Sequence, residues 1–100
     1  MIGIDQPVEL PANYDNLTPA KRKVVREAYV RLQEGKCWFC KTSLTGDPSP
    51  SVMARPVRKR LFPPAFFNYP VHLHHSHETG KTIGAVHAYC NAVLWEHYGE

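Results

Sequence analysis

Cys37-Trp38-Phe39-Cys40 and His87-Ala88-Tyr89-Cys90 each set two metal-binding side chains around a two-residue spacer. Two such pairs can aim four lone pairs at one tetrahedral ion, which is what a structural zinc site requires. The chain has 3 Cys, an odd number that fits poorly with a closed set of disulfides, and 6 His that can supply the missing ligand. Three buried thiols beside a surface His would be the competing account, but it leaves the matched spacing without a purpose. A site filled by four protein donors has no position for substrate water, so its expected role is in folding. A second feature is denser: His72, His74, His75 and His77 fall close together, and Asn91 directly follows Cys90. Imidazoles titrate at about 6.5 and can accept protons near neutrality. A zinc staple has no use for four more of them.

These residues need elements to hold them. Residues 1–17, with Pro7, Pro11 and no periodicity, read as an extended arm. Thr18-Pro19 is a helix start, since Thr caps well and Pro loses nothing at the first helical position. Val24, Val25, Ala28, Tyr29 and Leu32 then form one apolar face, expected to be core, with Lys21, Arg22, Arg26 and Glu27 opposite and Gly35 as the stop. Residues 47–70 contain Phe62, Phe66, Phe67 and Tyr69 among six of the 9 Pro, which predicts an irregular connection pinned by aromatics. Val71 and Leu73 alternate with His72 and His74, predicting a strand with those two His on one face and His75 and His77 on the other. His77 to Lys81 read as a turn, Thr82 to Val86 as a second strand, and Ala88 to Tyr98 as a helix ended by Gly99. Glu96 and His97 read as solvated residues of that helix. The fold class is α+β: one zinc-stabilised domain over residues 18–100.

One hundred residues bound a single domain whose small core gains from a staple. No secretory signal and no run of about 18 apolar residues is present, so the expectation is an intracellular, cytoplasmic chain with reduced thiols and no membrane partner. The net charge of +3 hides a block structure: residues 1–20 carry −3, residues 21–60 carry +8 and residues 61–100 carry −2. Such a block suits a polyanion partner, although a solvated helix face accounts for it equally. Arg55, Arg58, Lys59 and Arg60 cluster on the irregular connection and could follow a phosphate backbone, or could be an ordinary solvated loop.

The string Val71-His72-Leu73-His74-His75-Ser76-His77-Glu78-Thr79-Gly80-Lys81, followed by Ile83-Gly84 and by His87-x2-Cys90-Asn91, and preceded by Cys37-x2-Cys40, resembles the recombination endonuclease VII branch of the HNH nucleases. That branch reads C-x2-C, D-H-D-H-x-T-G, R-G and C-x2-C-N, and the likeness covers roughly residues 35–95. The resemblance implies a ββα-metal (His-Me finger) fold and an endonuclease that hydrolyses phosphodiesters of duplex DNA by nicking or double-strand cleavage. It implies His75 as general base, His74 and Asn91 as ligands of a catalytic Mg²⁺, Mn²⁺ or Ni²⁺, and His77 as a phosphate or loop contact. Lys81 and the bases of residues 55–60 become expected contacts to the DNA backbone. The chain departs from the pattern where His74 replaces a carboxylate, which turns preference away from hard Mg²⁺. Ser76 replaces the second Asp, and His87 a Cys. A double-strand break needs two sites, hence a homodimer or sequential nicks. The small size is similar to that of phage and mobile-element nucleases. The alternative function is a non-catalytic zinc module that binds nucleic acid or protein.

Overall fold

The structure, a computed structural model, describes residues 9–99, so the first eight residues of the expected arm lie outside it. Its elements run α1 (Pro19–Leu32), a four-residue α2 (Pro50–Met53), β1 (Val71–His75), β2 (Thr82–His87) and α3 (Ala88–Tyr98), with 3-10 turns at Tyr14–Asn16, Lys59–Leu61 and Phe66–Asn68. The architecture is α+β: a two-stranded antiparallel sheet with helices packed against it.

Helix α1 starts as its sequence dictates, with the Thr18 side chain accepting from the Lys21 amide at 3.2 Å. At its end Glu34 donates to the Arg31 carbonyl and Gly35 to the Val30 carbonyl, the paired bonds of a Schellman turn. The left-handed residue of that turn is Glu34 (φ 55°), followed by a second in Gly35 (φ 74°). The apolar face of α1 is narrower than its periodicity predicts. Val25, Ala28 and Tyr29 are buried, whereas Val24 is 46% and Leu32 70% exposed. A sheet of only two strands covers one stripe of a helix, and among the described residues nothing lies beyond it to bury Val24 or Leu32.

The sheet edge at β2 is covered from outside. Gln33 donates to the Ala85 carbonyl and accepts from the Ala85 amide, each at 2.9 Å, so its side-chain amide replaces a neighbouring strand. Trp38 adds a backbone bond to the same carbonyl at 2.9 Å, and Thr82 and Ala12 exchange two bonds of 2.8 Å, docking the arm. Tyr14 continues this docking by donating to the Gly80 carbonyl at 2.8 Å.

A bulge interrupts the hairpin: His74 pairs with Gly84, but His75 pairs with Thr82, leaving Ile83 over. The strand ends at His75, so His77 falls in the following turn instead of on the far face of β1, and His72, His74, His75 and His77 all line one cleft. The core is built from Val25, Tyr29, Leu44, Val52, Leu73, Ala85, Val86, Val93 and Leu94, and it includes Cys37 and Cys90. No helix among the described residues is long and apolar enough to cross a membrane.

Candidate functional site

Cys37 and Cys40 flank a tight knuckle in which the Cys37 amide donates to the Thr42 carbonyl at 2.8 Å and the Lys41 amide to the Cys37 carbonyl at 3.0 Å. His87 ends β2 and caps α3, and Cys90 follows in the first turn of that helix. The four ligand atoms lie within 4.8 Å of one another. His87 Nδ1 is 3.5 Å from both Cys40 Sγ and Cys90 Sγ. Tetrahedral bonds of about 2.3 Å to sulfur and about 2.0 Å to nitrogen put such atoms roughly 3.5 Å apart, so the spacing is that of a zinc shell. His87 Nε2 donates to the Ser43 carbonyl at 2.8 Å, which leaves Nδ1 as the lone pair facing the thiols.

The charge balance agrees. Cys37 is lowered to about 4, chiefly by its hydrogen bond from Cys90, and the same bond together with burial raises Cys90. The two sulfurs share one proton that a cation would displace. Burial, the largest single cause, would raise Cys40, but hydrogen bonds from Thr42 and the Ser49 backbone together outweigh it and the thiol is lowered. Burial likewise opposes His87, whose imidazole is nonetheless raised by the Ser43 carbonyl and the neighbouring sulfurs. This Cys3His cluster could hold a zinc ion, and it is the one such group of His, Cys, Asp or Glu among the described residues.

Four of the five remaining His line a separate cleft of about 520 Å³. His72, His74, His75, His77 and Asn91 all contribute to it. His72 accepts from the Asn91 amide nitrogen at 3.1 Å and donates through Nε2 to the Phe66 carbonyl at 2.8 Å. The shared bond leaves the Asn91 amide oxygen as the atom able to serve an ion. His74 is 1% exposed, with its ring 5.6 Å from Trp38. His75 lies flat on Tyr14, ring centroids 3.8 Å apart and 5° from parallel, and edge-on to His77 at 5.0 Å. Burial, then the neighbouring His77 and His74, lower the His75 imidazole below its ordinary value. Burial, and Arg26 through its charge, do the same to His72.

Some expected residues fall elsewhere. Arg58 pairs with Glu96 at 3.7 Å, Arg55 lies over Tyr98 at 5.4 Å and Lys59 over Phe67 at 5.5 Å. Arg60 and Lys81 are exposed, and none of these five lines the His cleft. Glu96 is not a solvated helix residue: its side chain is 10% exposed and accepts from the Arg58 amide at 3.0 Å, anchoring the basic loop to α3. His97 joins it by donating to the Pro56 carbonyl at 2.8 Å. In place of the loop bases, the cations of the cleft are Arg22 and Arg26 of α1, and Tyr14 completes the wall. Their sequence signal was slight: two Arg four residues apart on the flank of an apolar face. Compared with known protein families, characterised proteins and solved structures, the chain matches none.

Proposed function

We propose that the protein is a metal-dependent endonuclease hydrolysing DNA phosphodiester bonds, built on a zinc-clamped ββα-metal unit. The observation that carries this reading is the convergence of four His and Asn91 with Arg22 and Arg26 on one cleft, apart from the zinc ligands. A structural zinc site explains none of these groups.

In this reading His75 is the general base. Burial keeps its imidazole neutral at neutral pH, and the face of Tyr14 fixes its ring plane, so that it can take a proton from the attacking water. His72 holds Asn91 by the amide nitrogen, and Asn91 and His74 are the residues to carry the catalytic ion. That ion would supply positive charge to the phosphate oxygens as the 3′ oxygen leaves. No carboxylate lines the cleft among the described residues, so the donor set suits Mn²⁺ or Ni²⁺ better than Mg²⁺. His77 supports the loop edge-on to His75.

The test is cleavage of supercoiled plasmid by zinc-loaded protein across divalent ions. Nicking is expected with Mn²⁺ or Ni²⁺ above Mg²⁺, and His75→Ala should lower the rate by roughly 10²- to 10⁴-fold without loss of zinc or melting temperature. Undiminished nicking by that variant overturns the assignment of His75. No cleavage by the native chain with any of these ions leaves the non-catalytic zinc module.

A further inference from the structure

The two walls of the His cleft differ in chemistry. On the α1 side Arg22 and Arg26 stand one helical turn apart, both half-buried. Arg22 Nε is buried with no hydrogen-bond partner among the described residues, and its guanidinium lies 4.2 Å from the Tyr14 ring centroid. Among the described residues neither arginine is paired with a carboxylate, since the ion pairs involve Arg58, His97 and Glu96. Two partially desolvated guanidinium groups one turn apart on a cleft wall that no described carboxylate lines are matched to an arriving phosphate.

The facing wall is aromatic. Phe62 packs against Phe66 at 4.7 Å and Trp95 at 5.3 Å, and Trp95 is still 43% exposed. Leu61 extends the same exposed edge. A regular duplex offers phosphates and groove edges but keeps the flat faces of its bases stacked inside. An unpaired nucleotide offers a phosphate and a base face together, and a cationic groove beside stacking aromatics is how single strands are held.

We infer that the cleft takes an unpaired nucleotide of a DNA strand, with Arg22 and Arg26 on its phosphate and Trp95 with Phe62 against its base. The substrate class is then single-stranded or locally unpaired DNA. The inference rests on the proposed role of the cleft and names the substrate of that site.

Binding separates this inference from catalysis. Zinc-loaded protein without added divalent ion is titrated into fluorescein-labelled dT12, a blunt duplex of the same length, and unlabelled dTMP as competitor, with anisotropy as the readout. The single strand should bind at least tenfold tighter than the duplex, and dTMP should compete weakly because it lacks the flanking phosphates. Trp95→Ala, at an exposed position, should weaken dT12 binding by about tenfold. Arg22→Gln with Arg26→Gln should weaken it and flatten its salt dependence by about one phosphate contact or more. Equal binding of duplex and single strand, or unchanged dT12 affinity in Trp95→Ala, overturns the inference even if plasmid nicking is robust. Single-strand preference lost in both variants upholds it even if no cleavage occurs.

Discussion

At the scale of residues, the arm tunes the cleft through one side chain. Tyr14 lies flat against His75 and also beneath Arg22, so it shields the imidazole from water on one face. Burial is the largest cause of the lowered His75 titration. Removing the shield should therefore raise its pKa toward the ordinary value, because the charged imidazolium regains solvent. Tyr14→Ala is expected to move the acidic limb of the pH–rate profile to higher pH, since the neutral base then appears only at higher pH. Tyr14→Phe, which keeps the ring, should leave the limb in place. The same shift should appear in an NMR titration of the His75 ring protons without substrate. An unmoved His75 titration in Tyr14→Ala would show that the stack does not set its protonation.

At the scale of elements, Gly84 joins the hairpin to the zinc knuckle. A Cβ there would meet Trp38 Cβ and Cγ at 2.9 Å and Gln33 Oε1 at 2.8 Å. Trp38 stands between Cys37 and Cys40 of the Cys3His cluster, and Gln33 caps the β2 edge, so neither can retreat cheaply. Gly84→Ala should cost about 2 kcal/mol or more and weaken zinc retention. Gly46→Ala, whose Cβ meets only the Ser43 carbonyl at 3.8 Å, should be within about 0.5 kcal/mol of the parent. Denaturant midpoints and competition with a chelating dye measure both. The elements themselves were largely legible: cap and stop residues marked α1, alternation marked the hairpin, and Gly99 takes the left-handed conformation (φ 72°) that ends α3. The Cys3His cluster was legible because a group of side chains able to chelate one ion announces itself by short, local spacings. What could not be read was whatever depends on docking. Arg22 and Arg26 looked like a solvated face because the aromatic connection that encloses them lies far away in sequence, and nothing in the arm's composition shows that Tyr14 folds back over the helix. His72 looked like one more strand residue because its partner Asn91 sits 19 positions on.

At the scale of the whole molecule, the Cys3His cluster sits where three parts of the chain meet. It ties the knuckle after α1 to the end of β2 and the first turn of α3, and two of its sulfurs belong to the hydrophobic core. Structural zinc binds with about 10–16 kcal/mol in small domains, which matches or exceeds a typical net stability of about 5–15 kcal/mol. Loss of the ion should thus unfold the chain instead of merely loosening it. The two proposed ion sites also differ in donor number: four protein donors would close the zinc site, whereas the proposed catalytic ion has only His74 and Asn91 on the wall of the cleft. A weak chelator at millimolar concentration should stop cleavage while leaving far-UV circular dichroism and the melting transition intact. A strong zinc chelator, or Cys90→Ser, should abolish the cooperative transition altogether, and added zinc should restore it only for the native chain. A melting curve indifferent to zinc removal would mean that the hairpin and helices stand without their clamp.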